Sequence, residues 1–393
     1  MKKQIFLFAL LVSTAAFVQA QDEDRYNPVL TSVPSLTITP DAIGGGMGDI
    51  GVSTKPNLNS QFWNSSKYAL AESQGGFSIS YTPWLRKIVN DIDLAYLSGY
   101  YQISDVAGTL SASLKYFSLG EVTLRQSADQ IVVETVKPYE MAFDLGYSRK
   151  LAEHFSMGVN LRFVLSDLKV KSEEYHSAPA FSADINGFYS LPIEISSGES
   201  QFNLGFNLSN IGTKISYDDF NKNFMPTNFR LGASYYLPFD KYNRLGFSLE
   251  ANKLLVPTRT SKYAEKFDAN DPYNPDNRMT DEEWNDISVI KALGMSFADA
   301  PGGFKEEMQE IMWSAGLEYS YNEQFFVRAG YCNENEWKGN RKFFTLGAGF
   351  KWTAFRIDVG YVISAVSQSA LDNVLRFTLA FDVDGLKELT DRR

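Results

Sequence analysis

The chain has 393 residues, 44% hydrophobic and 14% aromatic, with 37 basic against 47 acidic side chains and a formal net charge of −10. That acidic balance excludes broad electrostatic capture of nucleic acid. The single cysteine, Cys332, excludes an internal disulfide, and the two histidines, His154 and His176, are not spaced as a metal pair.

The N-terminus reads MKKQIFLFALLVSTAAFVQA. Lys2 and Lys3 precede an apolar run over Ile5–Val12, and Val18-Gln19-Ala20 forms a small-residue cleavage site, so residues 1–20 are expected to be a secretory signal peptide. Beyond it no stretch of about 18 apolar residues could form a membrane helix. Residues 21–75, irregular and scattered with Pro, Gly and Asn, are expected to form an N-terminal periplasmic or plug segment.

From Gly76 onward apolar and polar residues alternate. The spacing predicts strands at 76–85, 93–103, 107–118, 138–150, 154–166, 178–190, 200–212, 227–238, 243–254, 311–320, 323–333, 342–352, 355–365 and 374–384, with 385–393 as a C-terminal tail. Most are long enough for the roughly 9–11 residues that a tilted strand needs to cross a bilayer. In "YEMAFDLGYSRKLAEHFSMGVNLRF", Tyr139 to Tyr147 and Met157 to Phe163 put apolar residues on odd positions and Glu140, Asp144, Asn160 and Arg162 on even ones. The connections alternate as well. Those at 104–106, 151–153, 239–242, 321–322 and 353–354 are short, and 191–199 is an irregular longer member of that set. Those at 86–92, 119–137, 167–177, 213–226, 255–310, 334–341 and 366–373 are longer. Short periplasmic turns and long outer loops are the pattern of an outer-membrane barrel. The expected fold is therefore all-β: a 14-stranded antiparallel transmembrane β-barrel over 76–384, in the outer membrane.

In such a barrel the apolar face meets lipid and the polar face lines the interior. Tyr81, Trp84, Tyr235, Trp313 and Trp352 near strand ends are expected to form the aromatic girdles. Seven inward cations (Lys115, Arg162, Arg230, Arg328, Lys351, Arg356 and Arg376) balance seven inward carboxylates (Glu140, Asp144, Asp184, Glu250, Glu318, Asp358 and Asp382). Arg162, Asp144, Arg230, Glu250, Arg356 and Asp358 are expected to form an interior network that holds the plug. With no excess of either sign to select an ion, a permeation path is the weaker reading.

Little in the chain points to catalysis. Gly46-Met47-Gly48-Asp49-Ile50-Gly51 matches G-x-G-x-x-G but lacks the strand before and the helix after that a dinucleotide site needs. It is expected to be a flexible, backbone-close segment. No nucleophile elbow and no His/Cys cluster occurs, so no catalytic residue, cofactor or metal is assigned and the protein is not expected to be an enzyme. The unusual feature is the loop 255–310, with 12 acidic and 6 basic residues. Its "DANDPYNPDN" run reads as a turn cluster rather than a calcium loop, since the ligand order is wrong. Thr280 and Glu283 predict a capping box, followed by Trp284, Ile287 and Ile290 at helical spacing. That stripe either packs on the loop itself or binds a partner.

The segments "ITPDAIGGGMGDIGVST" and "QFWNSSKYALAE" carry a family likeness, extended by "MGVNLRFVLSDL", "LGFNLSNIG", "FRLGASYYLP", "LEANKLLVPT", "VRAGY" and "GFKWTAFRIDVGYV". Together they resemble FadL-type barrels, and within them the PorV (LptO) family of type IX secretion system outer-membrane proteins. FadL-type transporters carry an Asn-Pro-Ala element in their N-terminal hatch, where Asn64-Ser65-Ser66 stands here. The resemblance implies a noncatalytic carrier that binds the C-terminal signal domain of secreted cargo. It would take cargo from the SprA/Sov translocon to the surface attachment complex of the sortase-like PorU with PorQ and PorZ, beside lipopolysaccharide. On that implication Trp284, Ile287, Ile290, Phe297 and Phe304 are the expected partner-binding anchors, with loops 119–137 and 213–226 beside them. The alternatives are a FadL-like hydrophobic-solute transporter and a lipopolysaccharide O-deacylase.

Overall fold

The computed structural model describes residues 26–84, 91–124, 134–169, 176–218, 220–366 and 373–391. The expected signal peptide lies outside them. The strands are β1 (Gly75–Pro83), β2 (Ile92–Ser104), β3 (Gly108–Leu119), β4 (Val122–Leu124), β5 (Glu134–Val136), β6 (Tyr139–Ala152), β7 (Phe155–Asp167) and β8 (Ala178–Ile195). They continue as β9 (Gly198–Gly212), β10 (Asn228–Pro238), β11 (Asn243–Leu254), β12 (Met312–Tyr321), β13 (Phe325–Asn333), β14 (Lys342–Trp352), β15 (Phe355–Ser364) and β16 (Leu375–Asp382). β4 and β5 form a small separate hairpin in the loop after β3, and the other 14 strands close one barrel, each pairing with its neighbour. Closure runs through β1, where Ile79 lies opposite Leu379 of β16 and Leu97 of β2. The expected 14-stranded antiparallel barrel is what forms.

The alternation fixes which face turns outward. Phe143, Leu145 and Tyr147 of β6 and Val159 and Leu161 of β7 are exposed, whereas Asp144, Ser148, Asn160 and Arg162 between them are buried. The same inversion recurs at Leu231, Leu249, Val327, Leu346, Ile357 and Phe377. A water-soluble protein would expose the other set. An apolar belt around a closed strand ladder, with every strand paired on both sides, suits a hydrocarbon surround that cannot satisfy free backbone groups. Tyr81, Trp313 and Trp352 face outward near strand ends, as girdle residues do, but Trp84 turns inward into an apolar cluster with Leu94, Phe117 and Val362.

Two boundaries differ from the sequence expectation. The irregular turn 191–199 is a continuation of β8 and β9, joined by residues 196–197. The neighbouring ladders stop at Tyr189 on β7's side and Gln201 on β10's side, so this hairpin runs past them, and Pro192 and the Ser/Gly run mark no break in it. The final segment, Val383–Asp391, is a helix, started by the Asp382 carboxylate, which accepts the Asp384 and Gly385 amides at 3.0 Å each.

Residues 26–74 thread the barrel. The Asn27 amide donates to Trp337 in the loop after β13, and the Ser32 amide to Phe224 in the loop after β9, so this stretch begins at the long-loop end. The chain then descends inside the wall and reaches the short-turn end, where Gln74 donates to Asp384 at 2.7 Å. The glycine motif lies pressed on the way down. Gly48 has φ +80°, and a Cβ there would meet the Tyr331 backbone at 2.9 Å, while one on Gly51 would sit 2.1 Å from the Trp63 ring. The glycines let backbone approach the wall and the rest of the threaded segment closely.

Candidate docking surface at the outer mouth

Inside the barrel, charged side chains latch the threaded segment to the wall. Glu250 pairs with Arg230 at 2.8 Å, and its other oxygen accepts the Gly51 and Val52 amides at 2.9 Å each. Trp63 donates its indole N–H to Asp41 at 2.7 Å beneath the Arg230 guanidinium. Arg376 pairs with Asp49 at 3.2 Å, and Lys115 donates to the Ser35 and Ile38 carbonyls at 2.6 Å each. A second group is wall to wall: Arg162 meets Asp144 at 2.6 Å and Asp184 at 2.9 Å, while Asp358 takes Arg328 at 2.8 Å and Arg356 at 2.7 Å. The six interior residues singled out above thus fall into three separate clusters. Lys351 and Asp382 belong to none of them. Lys351 is exposed at the rim and Asp382 caps the final helix.

Asp184 faces inward as the alternation expects, and a bulge in β9 that the alternation hides brings Asn210 to it. The β8–β9 register slips between Ala183 and Ile185, and opposite it Asn210 adopts φ +60° and donates its amide to Asp184 at 2.8 Å. Bulges re-aim side chains in this way, and Asn tolerates the left-handed conformation.

Above this filled interior, loop 255–310 folds back over the mouth. Its Asp/Asn run is consumed by its own turns. Asp268 accepts the Asn270 amide at 2.8 Å, Asn277 accepts the Asp268 amide at 2.7 Å, and Asn274 accepts the Asp276 amide at 2.9 Å. The capping box forms, with the Glu283 amide on Thr280 Oγ1 at 3.2 Å and the Thr280 amide on Glu283 at 2.6 Å. Beyond it the expected single helix is two: Asp281–Asp286, then Val289–Met295, with Ile287 extended between them and Ser288 capping the second.

That break sorts the five expected anchors. Trp284 is 2% exposed and Ile287 5%, both inside an apolar core with Phe224, Val256, Met279 and Ala292, against which Val29 also packs. They hold the loop together and are corrected from contact residues to core. Ile290, Phe297 and Phe304 face solvent at 72%, 58% and 79%. Helical spacing suggested one shared face; the interruption at Ile287 rotates the second helix away from it. An open groove of about 610 Å³ runs beside Tyr263, Met279, Ile287, Ile290 and Met295, with Lys291 at its side.

Loop 213–226 supports the cap. Phe224 meets Trp284 edge-on, Lys214 donates to the Trp284 and Asn285 carbonyls at 2.6 and 3.1 Å, and Asn285 bonds the Lys222 amide and the Phe220 carbonyl. Burial, then the Lys222 charge, push the Lys214 ammonium down to about 8. Sequence reasoning named this loop but not Phe224 or Lys214, which have no periodic signal. Of loop 119–137, residues 125–133 lie outside the described residues.

The profile of the family described as "Type IX secretion system protein PorV" matches residues 19–261. No curated protein sequence matches the chain. Among solved structures, the toluene transporter TodX of Pseudomonas putida is similar at 11% identity and a TM-score of 0.49, over 87% of this chain and 96% of that one. The toluene transporter TbuX of Ralstonia pickettii is similar at 8% and 0.45, over 87% and 97%. A FadL homologue of Pseudomonas aeruginosa is similar at 12% and 0.43, over 91% and 99%.

Proposed function

The chain belongs to the PorV family of type IX secretion system proteins, an integral β-barrel component of that system in the outer membrane, and on this premise we propose that it is a cargo carrier. Its outer cap binds the C-terminal signal domain of a translocated protein. The carrier then passes that protein from the SprA/Sov translocon to the PorU attachment complex with PorQ and PorZ. The observation that carries the reading is the division of labour in loop 255–310. Trp284 and Ile287 give the loop a core of its own, and the loop presents Ile290, Phe297 and Phe304 to solvent, with Ile290 lining an open groove. Exposed apolar side chains on a pre-folded element bind with less ordering cost than the same residues on a floppy one.

The solute-transporter reading needs a continuous apolar path through the lumen. The inner apolar cavity beside Ile38, Met312, Phe343 and Val362 holds about 60 Å³, against roughly 300–1,000 Å³ for a typical small-molecule site. A second cavity of about 400 Å³ opens at the short-turn end, but its lining includes Lys55, Arg244, Glu318, Arg356 and Asp382 and shares no residue with the first, so the two do not make a continuous apolar path. For the O-deacylase reading, none of the buried carboxylates described above stands beside a nucleophilic serine and histidine.

The test is co-purification of a cargo signal domain with the wild-type barrel and with a variant lacking residues 281–297, in mild detergent. Loss of cargo with the barrel still heat-modifiable on a gel is the expected result. Undiminished capture by the deletion variant rejects the cap as the binding element.

A further inference from the structure

Beneath the apolar core of loop 255–310 lies a polar centre that cargo binding does not use. Asp299, Glu307 and Glu310 are all buried, and one carboxylate oxygen from each lies within 4.8 Å of the others. Glu307 belongs to the short helix Phe304–Gln309 and Glu310 ends it, three residues on, so both reach the same side. Asp299 is brought to them by the turn before that helix. Lys253 at the end of β11 pairs with Glu307 at 3.1 Å and also bonds Glu310. Lys338 pairs with Glu310 at 2.9 Å and with the buried Glu306 at 2.5 Å. Four buried carboxylates therefore face two ammonium groups.

The hydrogen bonds show where the deficit sits. Glu307 accepts the Ala300 amide at 2.8 Å as well as Lys253. Glu306 accepts the Gly302 amide at 2.7 Å, the Tyr273 hydroxyl at 3.0 Å and the Asn27 side chain at 3.2 Å. Asp299 Oδ2 accepts the Thr258 amide at 2.6 Å and its hydroxyl at 2.8 Å. Asp299 Oδ1, on a side chain with no exposure, has no donor among the described residues. A buried carboxylate oxygen without a partner is costly, and more so beside two further carboxylates. Burial and then Glu310 push this carboxyl up to about 7, which agrees with the crowding.

We propose that Asp299, Glu307 and Glu310 form a binding site for a hard divalent cation, calcium foremost. Oxygen-only carboxylate ligands suit calcium or magnesium over transition metals. A cation of charge two matches the excess of two carboxylates and gives Asp299 Oδ1 its partner. Glu307 and Glu310 keep acceptor capacity, since an ionised carboxylate offers about four lone-pair sites. The site gathers β11, the return arm of loop 255–310, the N-terminal stretch through Asn27, and the loop after β13 through Lys338. Filling it would fasten the cap to the barrel mouth, whether or not cargo binds there.

The full chain in lipopolysaccharide-free detergent, stripped with chelator, is titrated with calcium chloride and then magnesium chloride by calorimetry and thermal unfolding. One calcium per chain is expected, with Kd on the order of 10⁻⁴–10⁻³ M as for extracellular modules, and an upward shift in Tm. Asp299→Asn keeps an acceptor for Thr258 and should bind about 10–100-fold more weakly, while Asp271→Asn in the surface turn run should bind as wild type does. Absence of binding for both ions, or equal binding by Asp299→Asn, overturns the proposal. So does a third pattern, in which Asp299→Asn raises Tm in chelator and calcium leaves the wild type unmoved. A proton would then be what the carboxylates share.

Discussion

Phe224 meets Trp284 edge-to-face, with ring centroids 5.0 Å apart and planes at 86°, and this contact joins two outer loops that are distant in sequence. The Arg259 guanidinium covers the indole at 4.8 Å, completing the enclosure. Trp284→Ala should cost about 3–5 kcal/mol of loop stability, the usual range for a buried large aromatic. Limited proteolysis on intact cells should then cut within 255–310 while the barrel persists. An unchanged cleavage pattern would show that the core does not hold the loop.

Ile290 and Phe304 should behave in the opposite way. Both are exposed, so Ile290→Asp with Phe304→Asp should leave the proteolysis pattern as in wild type. Cargo capture should nonetheless fall by about 2 kcal/mol or more if they are central anchors, read as the shift in half-saturation in a pull-down. Comparing the pair with Trp284→Ala separates a lost contact from a lost fold.

Glu250 is one of the points where wall and threaded segment meet. Glu250→Ala leaves Arg230 buried and unpaired and releases the Gly51 and Val52 amides. The expected loss is about 3–5 kcal/mol, seen as a lower temperature of gel-mobility change in detergent. Preserved thermal behaviour would mean that the threaded segment is held elsewhere.

Gly330 tests whether that segment seals the lumen. A Cβ there would lie 2.1 Å from the Met47 carbonyl carbon and 2.2 Å from the Gly48 nitrogen, both backbone atoms that cannot swing aside. Gly330→Val should push the segment inward and raise ion conductance in planar bilayers above that of the wild type. Equal conductance in the two proteins would reject the seal.

Lys214 supplies the pH dependence. Burial disfavours its charged form, so its proton leaves near pH 8 rather than 10.5. For a lysine lowered in this way the unfolded chain binds more protons between those values. This group therefore opposes folding of the cap below about pH 8, and the opposition is relieved as pH rises toward 10.5. Amine-reactive labelling of Lys214, followed by mass spectrometry, should plateau with a midpoint near 8, while an exposed lysine keeps rising. A midpoint near 10 would show that the ammonium is fully solvated.

The period-two pattern determined the barrel from the sequence alone, because a strand between lipid and a polar lumen must alternate along its whole length. Long strands and the short-turn, long-loop asymmetry followed from the same constraint, as did the inward placement of Asp144, Arg162, Arg230, Glu250 and Asp358, with Arg356 half-buried beside Asp358. What alternation could not carry was partner choice. Arg162 and Arg230 both pair across strands, but only Glu250, the partner of Arg230, also takes amides of the threaded segment, and only three-dimensional proximity distinguishes the two cases. In loop 255–310 the capping box was legible because it is a local exchange over four residues. The faces of the helices were not, since one extended residue at Ile287 sends Trp284 into the core and Ile290 into solvent. Asp299 meets Glu307 and Glu310 through a turn of the chain, and Phe224 meets Trp284 across two loops. Such contacts depend on how turns and loops close in space, where residue type and spacing carry no record of the neighbour. The sequence determined which surfaces face lipid and lumen; the tertiary structure alone decided what the outer mouth presents.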